Sequence, residues 1–259
     1  MTGSLLIGVD VGGTHTDAVL LEQKNKAAGV VPLDAAKAKT GARTIESLSR
    51  VLGELLTKDR ASKLARLTVS STLGLNSLLT GTADAVGVMT TGGPGLDLDP
   101  EPFGSLYEAL SAMQDHRGHV IKSLEPSLAR ERANSLVAGG AATMVVGSKF
   151  GPKNPALEEI MLQAAREVCP GPVMAASALF GGLNFPRRLG GAVLNAAVKR
   201  FYDEFIDDLS ETALKLGLSC PIWILKADGG VMSLEAARER PVLALTAGPA
   251  ASLLGLWAL

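Results

Sequence analysis

The residues best suited to chemistry lie together near the start of the chain. Asp10 ends an apolar run, a glycine pair follows at residues 12 and 13, and hydroxyl side chains stand at Thr14 and Thr16. Glycines let a backbone approach a phosphate closely and present its N–H groups, and the two hydroxyls add donors. A carboxylate at this place can hold Mg²⁺ through water, because Mg²⁺ takes only one or two carboxylates. The spacing therefore indicates a phosphate-binding loop with Asp10 as its metal residue.

The same residues also have plainer explanations, which the sequence leaves open. The segment matches neither the G-x-G-x-x-G pattern of dinucleotide folds nor the Walker A pattern. A glycine turn in a β-hairpin needs no ligand, and Asp10 would then be a turn or capping residue. Asp17 either orients the threonine hydroxyls or holds the turn. His15 either touches phosphate or substrate, or is a solvated loop residue.

A β-hairpin is expected to position this loop. Short apolar runs at 5–9 and 18–22 flank it, as is typical of two strands joined by a turn. Beyond residue 40, short apolar strands alternate with amphipathic helices, which predicts an α/β sheet. The expected strands are 67–71, 85–89, 142–146, 173–177 and 222–225; the expected helices begin at Thr44 as N-cap and at Asn154–Pro155, and a long one spans 193–209.

Polar residues that follow strands are further candidates. Thr72 and Asn76 come after the strand 67–71, at an edge where sites gather in open α/β sheets, although a helix cap and its first turn also explain them. Asn195 is either a locally bonded buried residue or a cleft residue, and Asp228 belongs to a cleft or to a plain turn. His116 and His119 lack a third ligand at metal spacing, which argues against a metal site there.

Composition narrows the class of protein. The chain has 259 residues, of which 47% are hydrophobic and 20% charged, so it can bury a sizeable core. Its net charge of -1 argues against nucleic-acid binding. Cys169 and Cys220 lack the C-x-x-C spacing and are expected to be small buried residues. The N-terminus shows no signal-peptide pattern, so we expect a cytoplasmic protein.

Several segments together resemble a known family. The string D-V-G-G-T-H-T-D from Asp10 resembles the first phosphate motif of the actin/hexokinase/Hsp70-like ATPase superfamily and, more closely, the opening of the hydantoinase/oxoprolinase family, hydantoinase A type. Later segments resemble the same family in order: S-T-L-G-L-N-S-L-L from Ser71, V-L-N-A from Val193, L-K-A-D-G-G-V-M from Leu225 and T-A-G-P-A-A from Thr246. The chain departs from the pattern at Ser70 and Ser71, where the family has His and Thr, and at Asp228, where it has Asn.

The resemblance implies a fold and a site. The implied fold is α/β: an actin-like ATPase (ribonuclease-H-like) N-terminal domain with a mixed sheet over residues 3–182, and the incomplete start of a second α/β domain over residues 183–259. The implied cofactors are ATP and Mg²⁺. The implied catalytic residues are Asp10, which also holds the metal, Thr72 and Asn76; the implied cofactor-binding residues are Gly12, Gly13, Thr14, His15, Thr16 and Asp17.

The implied activity is ATP-dependent hydrolysis of a cyclic amide of the hydantoin or 5-oxoproline type, with a hydantoinase B type subunit as partner. Family members continue to a second phosphate motif, so we expect this chain to be a truncated form with weak or no activity in isolation. The alternatives are a small-molecule or sugar kinase of the same superfamily and an inactive binding subunit.

An uncharged run from Val242 to Leu259 raises the question of a membrane helix. Gly248–Pro249 interrupts it, so strand, turn and helix are expected instead. Its apolar residues predict association into a homo- or hetero-oligomer.

Overall fold

The computed structural model describes residues 4–24, 29–41, 43–93 and 99–258. The strands are β1 Ser4–Val11, β2 His15–Gln23, β3 Val30–Lys39, β4 Leu64–Ser71, β5 Val86–Thr91, β6 Tyr107–Leu110, β7 Met113–Gln114, β8 Val120–Lys122, β9 Thr143–Ser148, β10 Val173–Ala175, β11 Ile222–Leu225 and β12 Val231–Ser233. The helices are α1 Thr44–Leu55, α2 Lys58–Ser62, α3 Leu73–Leu79, α4 Pro126–Ala138, α5 Ala156–Arg166, α6 Ala176–Leu179, α7 Phe185–Lys215, α8 Leu234–Glu239 and α9 Ala247–Ala258. Short 3₁₀ turns lie at Glu101–Phe103 and Pro241–Ala244.

The chain folds as two compact units, the first of which combines residues 1–82 with residues 199–259. In its described part, unit 1 is built on a mixed six-stranded sheet in the order β12-β11-β4-β1-β2-β3. Strands β1, β2 and β3 form an antiparallel meander, whereas β4 lies parallel to β1 and β11 parallel to β4. The glycine loop, residues 12–14, is the connection between β1 and β2.

The alternation along β1 explains which face of this sheet is covered. Leu5, Ile7, Val9 and Val11 are buried, while the residues between them are more exposed. Since successive strand residues point to opposite faces, all four contribute to one apolar face. Helix α1 packs beside β2 and β3 and presents a buried stripe with helical spacing: Leu48, Val51, Leu52 and Leu55.

Unit 2 comprises residues 83–198 and has its own sheet and core. Within its described residues, β10, β9, β5 and β6 form a parallel four-stranded sheet in that order. Its two central strands, β5 and β9, are almost entirely buried, as expected where helices cover a parallel sheet. One core cluster gathers residues of β9, α4 and α5, and a second gathers residues of β5, β9 and the first part of α7.

The structure confirms the α/β class and most expected elements. The hairpin and the strands at 67–71, 85–89, 142–146 and 222–225 are present, with ends that differ from the expected ones by at most three residues. The long helix is also present, but it is longer than expected and spans Phe185–Lys215. The strand expected at 173–177 stops at Ala175, where α6 begins. Residues 3, 25–28, 42 and 94–98 of the expected first domain, and Leu259, lie outside the described residues.

Other expectations need correction. Thr44 is the first helical residue and not the N-cap, and its hydroxyl donates instead to Asp208 of α7 at 2.8 Å. The strand expected after Val242 is a 3₁₀ turn, because Pro241 starts a tight helical turn there. The two compact units divide the chain in another way than the domains predicted over residues 3–182 and 183–259, and that domain boundary stays a prediction. Strand β11, which lies within residues 183–259, pairs with β4 and extends the sheet of unit 1.

The last helix carries several exposed apolar side chains. Leu253 is 71% exposed and Leu256 is 74% exposed, while Leu254 is 40% exposed. No helix in the described residues is both long and apolar enough to cross a lipid bilayer. Cys169 and Cys220 are both partly buried and free, and burial raises the pKa of each thiol.

Candidate functional site

The glycine loop is a tight reversal between β1 and β2. The N–H of Gly12 donates to the carbonyl of His15 at 2.9 Å, and residues 11 and 16 then pair across the two strands. Neither glycine of the pair has a positive φ, so conformational freedom is not what requires them. A Cβ on Gly12 would lie 2.9 Å from the His15 carbonyl oxygen, and one on Gly13 would lie 2.5 Å from Nδ2 of Asn76. Close approach of the backbone therefore favours glycine at position 12, whereas a Cβ at position 13 would require the Asn76 side chain to move.

Thr40, which the sequence did not single out, makes two hydrogen bonds to carbonyls of this loop. Its N–H donates to the carbonyl of Thr14 at 2.9 Å, and its hydroxyl donates to the carbonyl of Gly12 at 2.9 Å. In the part of the chain that the structure describes, the N–H groups of Gly13 and Thr14 have no acceptor. The loop thus has its carbonyls engaged on one side and two N–H groups left for another partner.

Asp10 lies beside the loop, in a row of polar residues across three strands. The register places Asp17 of β2 and Ser70 of β4 directly next to it. The buried hydroxyl of Ser70 donates to Oδ1 of Asp10 at 2.6 Å, while Asp10 itself is exposed. Asp17 forms an ion pair with Lys37 at 3.0 Å.

An open cavity of about 390 Å³ adjoins this row. It is lined by Gly8, Val9, Asp10, Asp17, Val19, Thr68, Ser70, Leu225, Ala251 and Gly255. The last two residues belong to α9, so this helix flanks the carboxylates. The space beside Asp10 is therefore accessible and mainly apolar apart from the polar row.

Thr72 and Asn76, at the start of α3, lie next to the end of β1 and to the loop. The N–H of Thr72 donates to the carbonyl of Val11 at 3.1 Å, which fixes the start of α3 against the end of β1. Nδ2 of Asn76 lies 3.5 Å from the Thr72 hydroxyl and also contacts Gly13. A Cβ on Gly248, at the start of α9, would lie 3.2 Å from the Thr72 methyl group. The fold thus brings Thr72 and Asn76 next to the loop, while their catalytic role stays a prediction.

Thr16 and His15 occupy different environments. Thr16 is fully buried, and its hydroxyl donates to Ser47 at 2.9 Å and lies 3.1 Å from that of Thr40. The hydroxyl of Thr16 is therefore engaged behind the loop and does not face the side with the unpaired N–H groups. His15 is exposed, with Nδ1 at 3.3 Å from the Thr14 hydroxyl.

A second cavity, of about 550 Å³, shares Asn76 with the loop region. It lies among α3, α7 and the residues before α1, and its lining is Gly41, Arg43, Thr44, Leu73, Asn76, Ser77, Thr80, Thr82, Phe201, Glu204, Phe205, Asp207 and Asp208. Asp208 is nearly buried; it pairs with Arg43 and accepts from the N–H of Ile45 at 3.0 Å. This carboxylate stabilises the N-terminus of α1, because acceptors are favourable there.

Asp228 belongs to a turn of its own, and its hydrogen bonds are made within that turn. Oδ1 of Asp228 accepts from the N–H of Gly230 at 2.9 Å, and Oδ2 lies 2.9 Å from Nζ of Lys226. The Lys226 hydrogen bond, followed by that of Gly230, lowers the pKa of this carboxyl group. Gly229 has a φ of 83°, as expected at the tip of such a turn. Asn195 belongs to unit 2, where its amide points to the sulfur of Met174 at 3.6 Å.

Among the described residues, no group of three or more His, Cys, Asp and Glu is arranged to enclose a metal ion. A dedicated protein cage is thus absent from this part of the chain. A hydrated cation held by one or two carboxylates requires no such cage, and Asp10 with Asp17 offers this arrangement.

Comparison with solved structures defines the class of fold. The nucleotide-free structure of acetone carboxylase is similar with a TM-score of 0.80 and 17% identity, covering 99% of this chain and 40% of that chain. An ATP-dependent caprolactamase from Pseudomonas jessenii is similar with a TM-score of 0.73 and 19% identity, covering 95% of this chain and 39% of that chain. The fold is a mixed α/β fold of the actin-like ATPase type.

Sequence comparison defines the family. Residues 6–169 match the hydantoinase/oxoprolinase N-terminal region, and residues 188–259 match hydantoinase/oxoprolinase. The chain belongs to the hydantoinase/oxoprolinase family. It is also 21% identical to an uncharacterized protein of Methanocaldococcus jannaschii over 96% of this chain and 39% of that protein. The chain thus spans about two fifths of the length of these relatives.

Proposed function

We propose that the β1–β2 loop of this chain binds phosphate groups of ATP. The observation that carries this proposal is the pair of N–H groups at Gly13 and Thr14, which lack an acceptor within the described residues. Successive free N–H groups at a glycine turn form a concavity that attracts anions. The exposed hydroxyl of Thr14 adds a donor on the same loop.

The residues next to the loop fit a hydrated Mg²⁺ ion. Asp10 is exposed at the cavity, and Ser70 uses only its Oδ1, so Oδ2 can accept from a metal-bound water. Asp17 places a second carboxylate beside it, although Lys37 offsets much of that charge. Bound Mg²⁺ supplies positive charge that stabilises a phosphoryl group during transfer.

We assign Thr72 and Asn76 to orienting the group that reacts with the terminal phosphate. The amide of Asn76 lies against Gly13 and also lines the 550 Å³ cavity, so it borders both the loop and a space large enough for a small molecule. Its Nδ2 can donate to a phosphate or substrate oxygen. The hydroxyl of Thr72, one helical turn earlier, lies 3.5 Å from this amide, next to the loop.

For the whole protein we propose ATP-dependent hydrolysis of a cyclic amide of the hydantoin or 5-oxoproline type. Membership of the hydantoinase/oxoprolinase family supports this, as does the fold shared with an ATP-dependent caprolactamase. The carbonyl of a cyclic amide is a poor electrophile, and phosphorylation of its oxygen makes that oxygen a leaving group. A hydantoinase B type subunit is the proposed partner for ring opening.

Titration calorimetry with ATP and Mg²⁺ tests the binding proposal. Saturable binding is expected, and Asp10→Asn should weaken it by roughly tenfold or more, because a hydrogen bond to a charged group contributes about 1.5–3 kcal/mol. Asp34→Asn is the matched control, since Asp34 is an exposed strand aspartate paired with Arg60 and away from the loop. Absence of Mg²⁺-dependent ATP binding by the unaltered chain would rule the proposal out.

Product analysis tests the proposed reaction. ATP turnover by the whole protein is measured with hydantoin and with 5-oxoproline, in the presence and absence of a hydantoinase B type subunit. Ring-opened product together with ADP and phosphate is the expected result. A stable phosphorylated sugar formed in place of ring opening would instead identify a small-molecule kinase.

A further inference from the structure

We propose that Thr40 is a positioning residue for nucleotide binding, which acts by fixing the orientation of the glycine loop; this inference rests on the proposed function. Thr40 follows β3 and is half-buried. It makes two bonds to the loop, one from its N–H to the carbonyl of Thr14 and one from its hydroxyl to the carbonyl of Gly12, each 2.9 Å long. None of the motifs at the front of the chain contains it.

The geometry of the peptide bond explains how a bond to a carbonyl directs an N–H group. The described residues have no cis peptide bonds, so the carbonyl of Gly12 and the N–H of Gly13 lie in one peptide plane and point in opposite directions. When the Thr40 hydroxyl engages that carbonyl, the N–H of Gly13 must point away from β3. If the bond is lost, this peptide can rotate, because glycines on both sides impose few steric limits.

Thr40 is itself supported from behind. Its hydroxyl lies 3.1 Å from that of Thr16, which is fully buried and donates to Ser47. Ser47 in turn donates to the carbonyl of Thr44 at 3.0 Å, in the first turn of α1. The loop is therefore braced by buried hydroxyls between β2 and α1, and Thr40 is the member that contacts the loop carbonyls.

A variant of Thr40 that lacks only the hydroxyl tests its hydrogen bond to the Gly12 carbonyl separately from its other contacts. Thr40→Val keeps the shape of the side chain and the N–H bond to Thr14 but removes the bond to Gly12. We expect it to weaken binding of Mg²⁺·ATP and of Mg²⁺·pyrophosphate by about fivefold each, since the loop contacts phosphates and one neutral hydrogen bond is involved. Thr40→Ser retains the hydroxyl and should bind both ligands almost as well as the unaltered chain.

Thr212→Val is the matched control for a general loss of stability. Thr212 is fully buried in unit 1, and its hydroxyl, like that of Thr40, donates to a backbone carbonyl, that of Asp208 at 2.8 Å, but it makes no hydrogen bond to the loop. Its variant should lose thermal stability without loss of affinity. Equal affinity of Thr40→Val and the unaltered chain would overturn the inference, as would weaker binding by Thr40→Ser equal to that by Thr40→Val.

The two proposals fail in different ways. If the unaltered chain does not bind Mg²⁺·ATP, the proposed function is refuted before Thr40 is examined. If it binds and only the Thr40 variants behave otherwise than expected, the phosphate loop stands and the role of Thr40 is refuted. Should Thr40→Val not fold, Thr40→Ala, which also lacks the hydroxyl, takes its place: a changed chemical shift of the Gly13 amide together with weaker binding supports the inference, and an unchanged shift contradicts it.

Discussion

Substitution of Gly13 by alanine tests the arrangement of the loop and Asn76 most directly. The new Cβ would lie 2.5 Å from Nδ2 of Asn76 and 3.6 Å from its Cγ. Real Cβ atoms do not tolerate the shorter distance, so the amide must rotate away. We expect a large loss of nucleotide affinity with a small change in stability.

The expected change in stability follows from three contributions. Because Gly13 has no positive φ, alanine adds no backbone strain and reduces the entropy of the unfolded chain, which favours folding by about 0.4–1 kcal/mol. Forcing Asn76 off its rotamer costs about 0.5–1.5 kcal/mol. Its 3.5 Å contact with Thr72 is too long for its loss to add much. The free energy of unfolding should therefore fall by at most about 1 kcal/mol, or a few degrees in Tm.

The loss of affinity should be greater. The methyl group would stand beside the unpaired N–H of Gly13, and the displaced amide of Asn76 would no longer face the loop. Loss of one hydrogen bond to a charged phosphate corresponds to about 1.5–3 kcal/mol, or roughly tenfold to hundredfold weaker binding.

A double-mutant cycle separates the contact from other effects. Calorimetry with Mg²⁺·ATP and thermal unfolding are measured for the unaltered chain, Gly13→Ala, Asn76→Ala and the double variant. If the clash is the cause, Gly13→Ala should no longer destabilise the chain once Asn76 is truncated. An equal effect of Gly13→Ala in both backgrounds would refute the reasoning.

Two further predictions concern Ser70 and Tyr202. Ser70→Ala removes the hydroxyl that donates to Asp10 at 2.6 Å, so ATP binding should weaken roughly fivefold with Mg²⁺ and remain unchanged without it; equal weakening in both titrations would show that Ser70 does not act through Asp10. The buried hydroxyl of Tyr202 has no partner among the described residues, so Tyr202→Phe should be neutral or stabilise the chain by up to about 1 kcal/mol in urea unfolding. Burial raises the pKa of the Tyr202 hydroxyl in the folded chain above its value of about 10 in the unfolded chain. The folded state therefore keeps its full stability while the pH is below about 10, and it loses stability as the pH rises from there toward the folded pKa, because only the unfolded chain ionises this group readily. Tyr202→Phe should therefore lose less stability than the unaltered chain above pH 10, and an identical alkaline profile would contradict this.

The sequence predicted those parts of the fold that depend on local patterns. Apolar runs such as 5–9 and 222–225 are strands because they fit a buried pleated surface, and the four-residue spacing in α7 is that of a helix with one apolar stripe. Strand β3 was missed because its first residues are exposed on both faces, which removes the alternation that marks a half-buried strand. Helix α4 was missed because its apolar and polar residues are weakly segregated around the helix.

The loop at the centre of the site could be recognised from sequence because its chemistry is contained in consecutive residues, Asp10 to Asp17. Its surroundings could not. Thr40 and Ser70 reach the loop and Asp10 through strand pairings, and pairing register is not visible in one sequence. The placement of Thr16 also depends on tertiary structure, since strand alternation turns its side chain toward α1 and leaves its neighbours His15 and Asp17 on the opposite face.

The pairing of β11 with β4 has a consequence for the order in which the molecule folds. Residues 67–69 and 222–224 lie side by side in one sheet, yet the whole of unit 2 separates them in the sequence. Unit 2 is one continuous segment and can collapse from contacts made within itself. The sheet beside the loop gains β11 only after the polypeptide has been synthesised beyond residue 225. Pairing β11 with β4 closes the long segment between them, which costs conformational entropy. During synthesis, β4, which carries Ser70, therefore has one unpaired edge until β11 is made, and unit 2 can fold before that.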